Sequence, residues 1–218
     1  NILRETIMGK ELFDHAFKTY SKRWMFKHPT PEDFFRTMED ASAVDLDWFW
    51  RGWFYTTDYV DISISDVKQY FVSPNPGSEM KKMMKERGIS KDQLRPLVFL
   101  EEFENDTENL KEGNPLENSK LLNNYIKENF SEQEINSLNI PKYFYEIVFE
   151  KPGGLVMPII VDYEYEDGTK ERIKYPAQVW RKNDNKVSKM VTSNKKIINI
   201  VLDPDLETAD IDTSNNSW

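Results

Sequence analysis

A change of period inside residues 46–66 limits the folds open to this chain more than any other feature. Leu46, Phe49, Trp50 and Trp53 stand at i, i+3, i+4 and i+7, with Phe54 beside them. That spacing makes one broad apolar face of a helix. A few residues later Val60, Ile62 and Ile64 alternate with Asp61, Ser63 and Ser65. This is the two-residue period of a half-buried strand. The switch falls at Thr56-Thr-Asp58, so a helical unit hands over to a β unit there. Trp53 counts as core on this reading, and Trp53→Ala should cost about 3–5 kcal/mol.

Residues 1–59 read as helical. Leu12, Phe13, Ala16, Phe17, Tyr20 and Trp24 form a stripe on a first helix, which Pro29 ends at His28. Thr30 is a good N-cap for a second helix, Pro31 suits its first position, and Glu32 and Asp33 sit at the positive end of its dipole. Phe34, Phe35 and Met38 are its buried side, and Asp45 is the expected cap of the third helix.

The strand over 60–72 stops at Ser73-Pro-Asn-Pro-Gly77. Residues 78–140 return to helix. Ser90-Lys-Asp-Gln93 and Ser131-Glu-Gln-Glu134 match the capping box, and Leu121, Leu122, Tyr125 and Ile126 give an amphipathic helix between them. Asn105–Pro115 is polar and acidic and reads as an exposed loop.

From 142 onward the pattern is β. Tyr143–Glu150 and Val156–Glu166 are strand-like, and Asp167-Gly168 is a hairpin signal with Lys170–Tyr175 as the returning strand. Gln178–Arg181, Lys186–Thr192 and Lys196–Leu202 are three more candidate strands, a spacing that points to a sandwich. The last 16 residues, Asp203–Trp218, read as a final turn and an acidic tail. The expected class is therefore α+β: helices over 1–59, a β-sandwich from 60–72 and 142–212, a helical insertion over 73–141, and a tail at 213–218.

The net charge of −9, with no basic patch, argues against nucleic acid and anionic membrane as partners. No membrane-spanning run of apolar residues occurs. The absence of cysteine excludes disulfides and thiolate metal sites, but leaves the compartment open, since many exported bacterial proteins also lack it. The chain starts at Asn1 directly on helix-like residues, as a cut inside a larger protein would.

No residue here is a catalytic or metal-ligating candidate of weight. His15 and His28 are the only histidines and lack His-Glu-x-x-His spacing, so solvated positions are favoured over a zinc role. No Gly-x-Ser-x-Gly nucleophile and no phosphate-cradling glycine loop is present. Trp48, Phe49, Trp50, Trp53, Phe54 and Tyr55 could stack on sugar or peptide, but helical spacing favours core, with Trp48 and Tyr55 leaving the stripe. Asp203, Asp205, Glu207, Asp210 and Asp212 raise calcium, but Thr208 replaces the glycine and Ser214 the bidentate Glu of an EF-hand, so a solvated tail is favoured.

Three stretches carry a resemblance. They are Gly9-Lys-Glu-Leu-Phe-Asp-His-Ala-Phe17 with Trp24; His28-Pro-Thr-Pro-Glu-Asp-Phe-Phe-Arg-Thr-Met-Glu39 running into Asp45-Leu-Asp-Trp-Phe-Trp-Arg-Gly-Trp-Phe-Tyr55; and Gly153-Gly-Leu-Val-Met-Pro158, with Asp167-Gly168 and Leu202-Asp-Pro-Asp205. Together they resemble the C-terminal part of M1-family gluzincin aminopeptidases of a bacterial branch. Residues 1–72 and 142–218 are covered, and 73–141 are not. The resemblance implies that 1–59 are the helical end of a thermolysin-like catalytic domain, followed by a sandwich that braces it. It implies a zinc-dependent parent that hydrolyses N-terminal peptide bonds. The zinc motif would lie before Asn1, so no catalytic, cofactor or metal residue carries over. The implied partners are the missing N-terminal catalytic region and, for the parent, a peptide. The rival expectation is a free-standing peptide- or glycan-binding module that uses exposed aromatics.

Overall fold

A computed structural model describes residues 1–73, 78–90, 99–102, 120–137, 141 and 143–218. The chain is α+β, with two antiparallel sheets, and divides into two compact units. The first comprises Asn1–Ser65, Val148–Val187 and Ile198–Trp218; the second comprises Asp66–Ile147 and Ser188–Ile197.

The first unit begins with a wide turn at Ile2–Ile7, where the Met8 N–H reaches back five residues to the Leu3 carbonyl, a π geometry. Three helices follow: α1 (Lys10–Trp24), α2 (Pro31–Ser42) and α3 (Asp47–Tyr55). The expected stripe of α1 packs inward, except that Phe17 remains exposed. The helix stops at Trp24, not at His28. Thr19 and Ser21 donate their hydroxyls to carbonyls four residues back, which weakens the last turns. Beyond them Phe26 adopts a left-handed φ of 59° and is 97% exposed, so no packing extends the helix.

Helix α2 starts as expected. The Asp33 carboxylate takes both the N–H and the hydroxyl of Thr30, closing a capping box with Pro31 at the first position. The entry to α3 differs from expectation. Leu46, not Asp45, occupies the cap position and has no capping side chain. The Glu39 carboxylate accepts the Leu46 N–H at 2.9 Å, and Asp45 accepts that of Asp47 at 3.3 Å. One carboxylate from α2 thus does part of the capping of α3. The helical core is Leu3, Ala16, Phe35, Met38, Leu46, Phe49 and Trp50.

The strand signal after α3 begins late. Val60, Asp61 and Ile62 are all buried, without alternation, and β1 runs from Ser63 to Ser73. Hydrogen bonds on both sides account for this. The Gly153–Leu155 backbone bonds to Tyr59 and Asp61, while the Ile211 N–H bonds to the Val60 carbonyl and the Asp210 carboxylate accepts the Ile62 N–H.

The rest of the first unit is built on the sheet β5-β4-β7: β4 (Ile159–Tyr165), β5 (Lys170–Tyr175) and β7 (Ile197–Leu202), of which Ile197 falls in the other unit. The Asp167-Gly168 hairpin forms as expected, with Gly168 at φ +79° and Ile159 opposite Tyr175. The expected strand at Gln178–Arg181 is instead a 3-10 turn, Ala177–Arg181. Its cause is the buried Trp180 indole, which donates to the Met157 carbonyl at 2.9 Å, and the Val179 N–H, which turns back to Pro176.

The expected acidic tail is largely built in. Asp203 is buried and accepts the Glu207 N–H and both the N–H and hydroxyl of Thr208. Ile200 and Trp218 exchange both backbone hydrogen bonds, and the Leu202 N–H reaches the Asn216 carbonyl.

In the second unit, residues 78–140, expected as helix with a loop at 105–115, contain a strand. Helix α4 (Ser78–Arg87) is followed by β2 (Phe99–Glu102), antiparallel to β1 with Tyr70 opposite Glu102. Helices α5 (Lys120–Asn129) and α6 (Glu132–Ser137) come next, then β3 (Tyr143–Glu150). With β6 (Lys186–Ser193) these strands form the order β2-β1-β3-β6. The Ser131–Glu134 capping box is present, with the Glu134 carboxylate accepting the N–H and hydroxyl of Ser131. Residues 91–93 of its expected counterpart at Ser90, and the loop at 105–115, lie outside the described residues. On α5, Tyr125 is exposed and Ile126 half-buried, and the side chains of Leu121 and Leu122 are not among those described.

Candidate functional site

A groove of about 430 Å³ lies on helices α2 and α3 of the first unit. Each helix contributes one face. Glu32, Phe35, Arg36 and Glu39 stand at i, i+3, i+4 and i+7 on α2; Asp47, Trp50 and Arg51 repeat i, i+3 and i+4 on α3, with Tyr55 one turn on. Of this lining the sequence pattern assigns Phe35, to the buried side of α2, and Trp50 and Tyr55 of the aromatic run. Arg36 and Arg51 were missed, although their spacing from Phe35 and Trp50 was the available signal.

The groove wall is aromatic. Phe35 stacks on Trp50 with centroids 4.6 Å apart, and Tyr55 and Phe54 meet Phe35 edge-on. The Tyr55 hydroxyl crosses to α2 and donates to Glu32 at 3.0 Å. That bond pushes the phenol up; the backbone N–H of Glu32, then Tyr55, hold the Glu32 carboxyl down. Glu39 behaves oppositely. Burial pushes its carboxyl up, and Asp47 and Asp45 add repulsion against the stabilising Leu46 N–H. The Trp50 indole N–H lies close enough to Glu39 to favour its charge slightly, but meets no acceptor in hydrogen-bond geometry.

The charges around the groove are unevenly satisfied. The other arginines of this unit pair with acids: Arg4 with Asp14, Arg23 with Asp40, Arg172 with Asp162 and Asp205, and Arg181 with Asp45. Arg36 and Arg51 are exposed and have no carboxylate or hydrogen-bond partner among the described residues. Each has an acid four residues earlier on its own helix, Glu32 and Asp47, an arrangement that commonly pairs. Glu32 is engaged by Tyr55 instead.

The other sequence candidates separate. His15 and His28 are exposed, and no group of three or more His, Asp or Glu among the described residues is arranged to hold a metal. Of the aromatic run, Phe49 and Trp50 are core. Trp48 stays half-buried, donating to the Asp45 carbonyl. Tyr55 leaves the stripe as expected at 61% exposed, but so do Phe54 at 56% and Trp53 at 37%. Trp53 is therefore not core. Trp53 stacks on Phe49 with ring centroids 5.5 Å apart, at the margin of the helical core.

Among the acids, Asp203 is spent on backbone donors, Asp205 on Arg172, and Asp212 on Ser214. Asp210 is half-buried beside Asp61, and burial raises its carboxyl despite the Ile62, Asp212 and Asn216 donors.

A second feature of the unit is a close backbone approach. A Cβ at Gly153 would land on the Tyr59 carbonyl oxygen and lie 2.7 Å from the Asp61 nitrogen. Only glycine fits there. No protein-family model matches this chain, and no curated protein matches it significantly.

Proposed function

We propose that the chain is a non-catalytic C-terminal segment of a zinc aminopeptidase of the M1 type, and that its role is to brace the catalytic domain of that parent. On this reading 1–59 are the helical end of a thermolysin-like domain, and the β strands belong to a sandwich that carries a helical insertion. One observation carries the reading. The three stretches of the resemblance fall in a single compact unit, and 66–147, which include the uncovered 73–141, fall in the other. Within that unit Gly153 and Leu155 of the third stretch bond to Tyr59 and Asp61, which follow α3 of the second, and the Asp203 N–H bonds to the Ile160 carbonyl.

Among the described residues no group of His, Asp or Glu is arranged to hold zinc, and the two histidines are exposed. In the parent, zinc would activate water for attack on an N-terminal peptide bond. The coding sequence upstream of Asn1 tests the proposal. It should encode His-Glu-x-x-His in the same frame, and a frame without that motif refutes an active parent. Stoichiometric zinc in the purified chain, or hydrolysis of aminoacyl substrates by it, refutes the non-catalytic role. A second reading, a free-standing peptide- or glycan-binding module, is favoured by the exposed Tyr55 beside Arg36 and Arg51 in the α2–α3 groove.

A further inference from the structure

We propose that Asp167 is a site of spontaneous covalent modification, isomerisation to isoaspartate through a succinimide, which the β4–β5 hairpin holds back until it opens. This is independent of the aminopeptidase reading. Asp167 is the only aspartate or asparagine of the sequence that is followed by glycine. With no Cβ at residue 168, the backbone nitrogen there is open to the side chain that precedes it.

The step balances within the chain and one water. The Gly168 nitrogen loses its proton and bonds to Asp167 Cγ, and a carboxyl oxygen leaves as water. Water then adds to the imide at the former main-chain carbonyl carbon of Asp167, and the bond from that carbon to the nitrogen breaks. Asp167 ends joined to Gly168 through its side chain, with no change of mass and nothing oxidised or reduced.

The closed hairpin occupies both reacting groups. The Gly168 N–H donates to the Tyr165 carbonyl at 2.8 Å, and the Tyr165 N–H donates to the Thr169 carbonyl at 2.9 Å. Asp167 Oδ1 accepts the Thr169 N–H at 3.0 Å and the Thr169 hydroxyl at 2.5 Å. The nucleophile is thus held in a turn bond, and the carboxylate is fixed toward residue 169. Asp167, Gly168 and Thr169 are all exposed, so the turn can open without the rest of the unit. Isomerisation runs through that opened form, and its rate follows the fraction open. The product carries one extra carbon in its main chain and no longer fits the turn that sets Glu164 opposite Lys170. Isoaspartate at 167 is therefore a covalent record of hairpin opening.

The test ages the whole chain in neutral buffer at physiological temperature. Isoaspartate at 167 is followed by peptide mapping with electron-transfer fragmentation, which separates the two isomers at equal mass. An acetylated, amidated copy of residues 164–171 sets the unhindered rate, and wild type should isomerise several-fold more slowly. Thr169→Val removes the hydroxyl and keeps the side-chain shape, and should speed the reaction about fivefold, the factor that one hydrogen bond of ordinary strength contributes. Thr169→Ser, which keeps the hydroxyl, should age like wild type. Ser131→Ala loses a comparable hydroxyl–carboxylate bond outside the hairpin and should leave the rate at 167 unchanged. The proposal is overturned by a wild-type rate equal to that of the peptide, by T169V ageing no faster than wild type, or by T169S ageing as fast as T169V. Equal acceleration in S131A also overturns it, since general unfolding is then the route.

Discussion

Replacing Gly153 by alanine places one methyl group where the structure has no room. The new carbon would strike the Tyr59 carbonyl oxygen and come within 2.7 Å of the Asp61 nitrogen and 2.9 Å of the Asp61 Cβ. The first two are backbone atoms and cannot rotate aside. Overpacking of this kind costs about 1–3 kcal/mol. The same backbones are joined by hydrogen bonds, Tyr59 N–H to Gly153 O at 3.0 Å and Gly153 N–H to Asp61 O at 3.4 Å. Separating them adds about 1 kcal/mol each. The expected loss is therefore about 4 kcal/mol, or about 8–16 °C in melting temperature for a chain of this size. Gly52→Ala is the internal control. Its Cβ would lie 3.2 Å from Leu155 Cδ1, a side-chain atom that needs to give by only a few tenths of an ångström, and the change gains about 0.5–1 kcal/mol of helix propensity. Urea unfolding followed by circular dichroism should show G153A destabilised and G52A neutral or stabilised. A G153A midpoint within about 1 kcal/mol of wild type would refute the close-approach argument.

Trp50→Ala should cost about 3–5 kcal/mol, because that indole is 4% exposed and stacked on Phe35. Trp53→Ala, with its ring 37% exposed, should cost about 1–2 kcal/mol, and equal losses in a denaturant series would contradict the assigned burial. The raised Asp210 carboxyl gives a pH signature. A raised folded-state value stabilises at low pH, and that contribution is lost as pH rises from the ordinary 3.8 through the raised value. D210N has no such proton to lose, so its melting temperature relative to wild type should climb with pH over that window. A difference that is flat or falls with pH excludes the burial argument. Glu39 titrates in the same direction in both proteins and cancels from the comparison.

What was legible in the sequence was local. The Thr30 and Ser131 boxes and the Asp167-Gly168 turn are satisfied by atoms a few residues apart, so their residue types suffice. The misreadings all depend on distant partners. Gln178–Arg181 looked like a strand until the buried Trp180 N–H required the Met157 carbonyl. Phe99–Glu102 looked helical because its pairing with Tyr70–Ser73 cannot be read from four residues. Trp53 fits the stripe of α3 by spacing, but the bundle offers core for only the first turns of that face. The groove was invisible for another reason. Arg36 and Arg51 look like ordinary solvated charges, and only the engagement of Glu32 by Tyr55 and of Glu39 by Leu46 reveals two cations left over.

The pairing of Trp218 with Ile200 has a consequence for solubility. Strand β7 is the outer strand of its sheet, and Ile197-Ile-Asn-Ile-Val-Leu202 has no charge, no proline and four β-branched residues. Such a segment, left open, is a template for self-assembly into cross-β stacks. Residues 216–218 occupy its hydrogen-bonding positions, and the acidic run from Asp203 to Asp212 stands guard beside it as charged gatekeepers. The segment that reads as an acidic tail is thus what keeps this uncharged edge strand from finding a second copy of itself.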